Sequence, residues 1–375
     1  MEKKLKYLGT LARFEMSNYL TKEPLKGHSF IYPSVAGGKI IPIFKILLSN
    51  YCKFNCLYCA NRKDRDCPRY RLTPDFLAET FFNFWKKNYV AGLFLSSSID
   101  GDVNEVQEKI IETAKILRKK FNYPGYIHLK ILPGADPYLI RKASIYADRL
   151  SLNMETVSTS LLKKISKEKD FSKSLLKTLK NLSIINQERE LKSGVTTQFI
   201  VGSGNEKDKD ILGFSFYLYR NLQLRKIYYS GFSPVPATPL ENKTPCEFKR
   251  ILRLYQADIL IRKYGFRADE IIFDEEGNLD KDKDPKEKWA EKNPSFFPVE
   301  ITKDDFEILI RVPGIGFQTA KKIIKIRKET KITPEILKKI GVGKKSFQYI
   351  TISGKNIVEK VNEEDEFKNT LFENI

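Results

Sequence analysis

Between about residues 40 and 240, short runs rich in β-branched and aromatic residues alternate with longer amphipathic stretches. This alternation is typical of βα units that build a parallel sheet. The predicted strands cover residues 44–49, 92–97, 126–132, 149–154, 195–201 and 225–230. The predicted helices cover residues 74–88, 105–120, 137–147, 158–167, 171–190 and 208–222. Because parallel strands need right-handed crossovers, the fold class is α/β, a partial (β/α)6 barrel with its chemistry at the carboxyl ends of the strands.

The chain has 375 residues, more than one hydrophobic core usually organises. We expect residues 1–268 to form the main domain, with a core at about 40–240. Residues 269–296 are rich in Asp, Glu and Lys and predict a charged connector with a helix around Trp289. Residues 297–375 predict a small all-α domain that ends in an acidic tail from Glu359 onward.

Lys and Arg number 66 against 47 Asp and Glu, a net charge of +19. This positive field favours polyanions, and nucleic acid is the first partner to consider. A heat-loving or AT-rich source explains a Lys-rich and Glu-rich chain equally well. Charge alone therefore does not decide between the two.

The first residues lack the apolar stretch of a secretory signal. The apolar run at residues 40–48 is broken by Pro42 and Lys45 and is shorter than the about 20 residues of a membrane helix. We expect a cytoplasmic protein with no membrane partner. Five cysteines, three of them within eight residues, indicate a metal site in a reducing compartment.

Cys52, Cys56 and Cys59 follow the first predicted strand with the spacing CxxxCxxC. A loop with these intervals can bring three thiolates to three corners of an iron-sulfur cube and leave the fourth iron open. The alternative is a zinc knot with Cys67 as the fourth ligand. Zinc knots favour paired CxxC clusters, and His28 and His128 lie far away in sequence. Cys67 and Cys246 have no identifiable partner, and a structural role is expected for each.

The cysteine spacing, together with Tyr58 before the third cysteine, resembles the signature of the radical S-adenosylmethionine (SAM) superfamily. The resemblance implies a [4Fe-4S] cluster on Cys52, Cys56 and Cys59, SAM bound at the open iron, and release of a 5′-deoxyadenosyl radical. It also implies an electron donor such as ferredoxin or flavodoxin. Tyr58 would pack near the adenine.

The resemblance extends to the rest of the cofactor pocket. The superfamily's Gly-Gly-Glu segment corresponds to Ser96, Ser97 and Ser98, so the glutamate is missing and hydroxyls and carbonyls would accept from the methionine amino group. Asn153 and Glu155 alternate along a strand and suit the ribose hydroxyls. The remaining expected contacts come from the ends of the last two strands: Val201, Gly202 and Ser233. Ordinary capped turns are the alternative for each.

Two glycine turns lie in the second domain, Val312-Pro-Gly-Ile-Gly316 and Ile340-Gly-Val-Gly343, each flanked by helical patterns. They resemble helix-hairpin-helix motifs, in which backbone amides at a helix start grip DNA phosphates. The expected nucleic-acid contacts are Gly314, Ile315, Gly316, Lys321, Lys322, Gly341, Gly343, Lys344 and Lys345. A helical pair used only for packing is the alternative.

Together these features resemble a branch of radical SAM proteins assigned to DNA modification or repair, with a C-terminal helix-hairpin-helix domain. The resemblance is carried by stretches such as Thr197-Gln-Phe-Ile-Val-Gly202 and Phe297-Pro-Val299. It implies an enzyme that acts on DNA, with Arg62, Lys63, Arg65, Arg69 and Arg71 as candidates to line the opening for phosphates. The alternatives are a radical SAM enzyme that modifies RNA, such as transfer RNA, and a non-catalytic DNA-binding protein with a structural metal site.

Overall fold

The computed structural model describes residues 2–15, 24–25, 27–36 and 39–357. The chain divides into two compact units, Met1–Ile251 and Leu252–Ile375. The sequence predicts a later boundary, after residue 268, with a connector from 269 to 296. The structure instead includes residues 269–296 in the second unit.

A seven-stranded sheet forms the centre of the first unit, with the strands in chain order. The strands are β1 (Ile31–Ala36), β2 (Lys39–Leu47), β3 (Gly92–Ser96), β4 (Tyr126–Lys130), β5 (Arg149–Glu155), β6 (Val195–Val201) and β7 (Lys226–Gly231). The β1 strand is antiparallel to β2, and all other neighbours are parallel. The parallel strands form a curled half-barrel, which confirms the partial barrel.

Helices connect the parallel strands: α2 (Pro74–Lys86), α3 (Val103–Lys119), α4 (Pro137–Tyr146), α5 (Thr159–Ile165), α6 (Lys177–Arg189) and α7 (Asp208–Leu222). A further helix, α1 (Glu2–Leu11), precedes the sheet, and α8 (Phe248–Lys263) follows β7. The α2 helix begins where the Thr73 hydroxyl accepts from the Phe76 amide, and α3 begins where Asp102 accepts from two amides. The predicted helix over 171–190 starts as a π-helical turn, Phe171–Leu176, before α6.

All six predicted strands are present. Every residue of β3 is buried, as expected for an interior strand of a parallel sheet that is covered on both faces. Two elements before residue 40, α1 and β1, were not predicted. The α1 helix packs through Leu5, Leu8 and Leu11, which are buried.

The second unit is not all-α, so this part of the prediction is wrong. It contains α9 (Pro285–Lys292), α10 (Phe306–Leu309), α11 (Phe317–Glu329) and α12 (Pro334–Lys339). It also contains a three-stranded sheet of β8 (Val299–Glu300), β9 (Ile350–Ile352) and β10 (Lys355–Asn356). The Glu300 carboxylate stabilises this sheet because it accepts from the amides of Ser353 and Gly354, at 3.0 and 2.7 Å.

Residues 269–296 are not a solvated connector. Trp289, on α9, is 5% exposed and contacts the rings of Phe266, Phe296 and Phe297. An aromatic cluster of this kind buries enough apolar area to order the charged segment around it. The predicted acidic tail from Glu359 lies outside the described residues. Among the helices that the structure describes, none has the length and apolar character needed to cross a membrane.

A buried lysine in the second unit leads to a prediction about pH. The Lys286 ammonium donates to the carbonyl oxygens of Ile310 and Ile315, at 2.8 and 2.7 Å. Burial lowers the pKa of Lys286 to about 8, although Asp284 acts in the opposite direction. Between about pH 8 and the ordinary lysine pKa of about 10.4, the unfolded chain binds the extra proton, so folding of this unit becomes more favourable as pH rises.

We therefore expect the free energy of unfolding of wild type, relative to that of Lys286→Met, to rise by at most about 3 kcal/mol between about pH 7 and about pH 10. Urea denaturation of both proteins at several pH values measures the difference. A flat or falling difference would contradict the assignment.

Candidate cofactor-binding site

One pocket lies at the carboxyl ends of the parallel strands. Each strand from β2 to β7 contributes residues at or next to its end: Leu47, Ser96, Lys130, Glu155, Ile200 and Gly231. The pocket holds about 1110 Å³ of space, part of it open to solvent. The strand ends therefore form a site where the parallel topology predicts one.

The three cysteines of the motif line this pocket together. The Cys56 Sγ lies 3.2 Å from the Ser166 Oγ, and the Cys59 Sγ accepts from the Asn61 amide at 3.4 Å. The Leu57 amide donates to the Ile165 carbonyl at 2.8 Å, which attaches the loop to the end of α5. The motif is therefore held at the pocket by contacts to another part of the unit.

The protonation of these thiols depends on what they bind. Burial raises the pKa of Cys56 and Cys59, and each neighbouring thiolate raises it further. Three thiolates in one buried pocket therefore need positive charge to coexist, which iron supplies. In the described residues, no three His, Cys, Asp or Glu side chains converge on a point that could hold a single metal ion.

Cys67, the fourth ligand of the zinc alternative, is not among the pocket-lining residues. Its Sγ lies 3.9 Å from the Ala60 carbonyl oxygen. Cys246 packs near Gly202, where an added Cβ would come within 2.9 Å of the Cys246 Cβ. The donor set at the pocket is therefore the three thiols of the motif.

A polar cluster lies beside the cysteines. Lys169 donates to the Glu155 carboxylate at 2.7 Å and to the Tyr58 hydroxyl at 3.3 Å. The side chains of Lys169 and Glu155 are 11% and 6% exposed. Glu155 has φ +65° at an irregularity in the pairing of β5 with β6, which turns its carboxylate into the pocket. The sequence does not reveal Lys169, because a lysine in the run Lys167-Glu168-Lys169-Asp170 looks solvated.

The other predicted cofactor residues divide into two groups. Those that line the pocket are Tyr58, Ser96, Ser97, Ser98, Asn153, Glu155 and Ser233. Val201 is buried and Gly202 donates its amide to the Glu206 carboxylate, and neither lines the pocket. On β6 the pocket is lined by Gln198 and Ile200 instead, since alternate residues of a strand face opposite sides.

The N-terminal segment also lines the pocket, which the sequence does not indicate. Leu11, Phe14 and Glu15 contribute to the wall. The Glu15 carboxylate lies 3.1 Å from the Lys130 Nζ, and the Ser96 Oγ donates to it at 3.4 Å. Burial opposes ionisation of Glu15, but the ammonium groups of Lys130 and Lys45 outweigh it and lower the Glu15 pKa. The part of the pocket wall that Glu15 and Lys130 form is therefore charged.

One pocket-lining atom lacks a protein partner. The Asn61 Oδ1 is buried and accepts no hydrogen bond from the described residues. A buried acceptor without a donor is costly, so it is suited to a donor group on a ligand. This unsatisfied acceptor and the three thiols fit a pocket that would hold an iron-sulfur cluster and a nucleoside.

The basic residues after the cysteines are not all free to bind phosphate. Arg65 donates to the carbonyl oxygens of Ala60 and Pro236, at 3.1 and 2.9 Å. Arg71 forms a two-point ion pair with Asp100. Arg69 is bound to backbone carbonyls of its own loop. These three arginines are bound within the protein, and their part in a phosphate-lined opening stays a prediction.

The glycine turns of the second unit lie between helices. Gly314 has φ +80° and Gly316 precedes the first residue of α11, while Gly341 has φ +98° and Gly343 precedes a 3-10 helix, Lys344–Tyr349. An added Cβ on Gly314 would lie 2.1 Å from the Ser346 Oγ, so the turns approach closely. Their apolar residues share one core.

The predicted nucleic-acid residues are only partly accessible. The side chains of Lys321, Lys322, Lys344 and Lys345 are exposed. Ile315 is fully buried, its amide donates to the Val312 carbonyl at 3.1 Å, and its own carbonyl accepts from Lys286, so it offers nothing to a ligand. At the start of α11, the Phe317 amide donates to the Tyr264 hydroxyl at 3.0 Å.

Part of the chain is similar to a known protein family. Residues 46–217 match the family model described as the Radical SAM superfamily. An uncharacterized protein of Methanocaldococcus jannaschii is 26% identical over 213 residues, which are 54% of this chain and 52% of the relative. The chain thus spans about half the length of the curated relative that it matches.

Two solved structures show limited similarity to the chain. Methylornithine synthase has 22% identity and a TM-score of 0.44, with 56% of this chain and 60% of that chain covered. Coproporphyrinogen III oxidase from Escherichia coli has 13% identity and a TM-score of 0.39, with 56% of this chain and 50% of that chain covered.

The residues that line the pocket indicate which cysteine substitutions would remove the cluster. We expect Cys56→Ala to lose the cluster and Cys67→Ala to keep it, because Cys56 lines the pocket and Cys67 does not. Iron, sulfide and zinc analysis after anaerobic reconstitution measures this. Equal iron loss in both variants, or one bound zinc in wild type, would refute the ligand assignment.

Proposed function

We propose, from the premise that residues 46–217 form a radical SAM superfamily domain, that this chain is a radical SAM enzyme acting on DNA. Members of this superfamily use a [4Fe-4S] cluster and SAM. The observation that carries the enzyme assignment is the shared pocket, where Cys52, Cys56 and Cys59 lie with polar side chains from the strand ends. When bound, these cofactors supply a 5′-deoxyadenosyl radical that abstracts hydrogen from the substrate.

The pocket residues have distinct roles in this proposal. The three thiolates would hold the cluster, and Ser96, Ser97 and Ser98 would accept from the methionine amino group. Asn153 and Glu155 would hold ribose hydroxyls, and Tyr58 would pack against the adenine. These roles orient the cofactor and exclude water, which is the contribution that a protein makes to cofactor chemistry.

Lys169 joins this group because of its contacts. Its ammonium is fixed between Glu155 and Tyr58, and the charges of Cys56 and Cys59 act on it. Burial alone would lower the Lys169 pKa, but the Glu155 carboxylate and these thiolates outweigh burial and raise it. Lys169 would therefore remain a cation that offsets the negative charge of three thiolates and a carboxylate.

DNA is the proposed substrate because of the second unit and the net charge of +19. Both glycine turns place a second glycine directly before a helical segment, and exposed lysine pairs follow. Exposed lysines in this arrangement suit phosphates and read no base. An atom inside a stacked duplex cannot reach a buried radical, so the substrate would be an exposed or flipped nucleotide.

The chemistry that these cofactors would supply requires an electron, so a reductant would also be needed. The proposed partner is a small electron-transfer protein such as ferredoxin or flavodoxin.

The lysines of the turns provide the first test of the nucleic-acid assignment. We expect Lys321→Gln/Lys322→Gln to weaken duplex DNA binding and to reduce the slope of log K against log salt by about 0.9 for each phosphate that is no longer neutralised. A matched control is Lys119→Gln/Lys120→Gln, an exposed pair at the end of α3. Fluorescence anisotropy at several salt concentrations measures both. Equal effects of the two double variants would mean that binding follows net charge alone.

Turnover provides the second test. We expect reduced, reconstituted wild type to release 5′-deoxyadenosine from SAM, more with DNA than without it, and Cys56→Ala to release none. Duplex DNA, single-stranded DNA and structured RNA are compared at fixed salt. Stimulation by RNA alone would replace the DNA assignment with RNA modification, and no cleavage by an iron-loaded protein would reject the enzyme.

A further inference from the structure

The loop that carries the three cysteines is closed at a narrow neck. The chain leaves the end of β2, runs through residues 51–67 and returns beside its starting point, where Ser49 forms an antiparallel bridge with Arg71. Asn50, fully buried, accepts from the Tyr70 amide at 2.7 Å and donates to the Pro68 carbonyl at 2.8 Å. We call residues 48–50 and 68–72 the loop neck.

Arg69 is part of this neck and faces into the loop. Its guanidinium donates to carbonyl oxygens on both sides of the cysteine motif: Asn50 at 2.6 Å, Asn61 at 2.9 Å, Arg62 at 2.6 Å, Arg65 at 3.0 Å and Lys63 at 3.4 Å. Asn50 comes two residues before Cys52, and Asn61 comes two residues after Cys59. One side chain therefore links the start and the end of the motif.

The chemistry of this contact is specific to arginine. A guanidinium presents several donors in a rigid plane and cannot lose its proton in a protein, so it can satisfy carbonyls that point at it from different directions. A lysine offers three donors from a single atom and cannot span the same set. Hydrogen bonds from a charged donor are also stronger than neutral ones.

We propose that Arg69 is a positioning residue that holds the cysteine loop in the shape in which all three thiolates meet one cluster. This inference rests on the proposed function. The loop lies outside the parallel sheet, whose strands are held by their own ladders and a separate apolar core. Loss of Arg69 therefore affects the cluster before it affects the fold.

The experiment compares Arg69→Gln and Arg69→Lys with Arg71→Gln, a change in the same neck. Arg71 binds a side chain, Asp100, through its guanidinium. Each full-length protein is reconstituted anaerobically, its iron and sulfide are counted, and iron loss to a chelator is followed over time. Electron paramagnetic resonance of the reduced protein with and without SAM reports the open iron, and circular dichroism of the apo form reports the fold.

We expect Arg69→Gln to lose iron roughly ten-fold faster than wild type and to show a weakened spectral change with SAM, while its apo melting curve stays close to wild type. Arg69→Lys is expected to be intermediate, and Arg71→Gln to resemble wild type.

Three outcomes would overturn the inference. If Arg69→Gln holds its cluster as long as wild type with the same spectra, Arg69 does not position the loop, and the proposed function stands. If apo Arg69→Gln and Arg69→Lys both melt far below wild type, Arg69 supports the fold instead. If wild type itself holds no four-iron cluster, the proposed function fails together with this inference.

Discussion

Parallel pairing of six successive strands is the constraint on which the site depends. Strands that run in the same direction end at the same edge of the sheet, so β2 to β7 all contribute residues at or next to their ends to one pocket. The connecting helices are needed to return the chain, and their apolar faces cover the sheet. The cysteine loop leaves β2 at this edge. The topology therefore brings the thiols to this edge of the sheet independently of any individual side-chain contact.

This dependence explains how much the sequence can predict. Strands and helices follow local periodicity, and the rule about strand ends then brings Ser96, Asn153 and Glu155 to the cysteines from distant parts of the chain. The difference at β6 is partly one of phase. The resemblance to a family segment predicts Val201 and Gly202, but alternation along the strand points Gln198 and Ile200 into the pocket and Val201 away from it, while Gly202 lies beyond the end of β6.

Other features depend on contacts that no local pattern reports. Lys169 meets Tyr58 across 111 positions of sequence, and before folding it is one lysine in a charged run. The arginines after the cysteines resemble a phosphate-binding surface in sequence because composition does not tell a solvated guanidinium from one bound to carbonyls. In the second unit, β8 to β10 span only two or three residues each, too few to show alternation.

The ion pair of Glu15 with Lys130 makes the N-terminal segment part of the site. Lys45 and Lys130 project from β2 and β4 and are 7% and 4% exposed, and burial lowers the pKa of Lys45 to about 7 even though Glu15 acts against it. The Glu15 carboxylate faces Lys130, and its backbone carbonyl accepts from Lys45. Without Glu15, two ammonium groups would remain in a buried space with one counter-charge fewer, a costly state for either lysine. The apolar face of α1 and this carboxylate thus act together: leucines hold the helix against the first unit, and Glu15, a few residues later, offsets part of the positive charge of the two lysines.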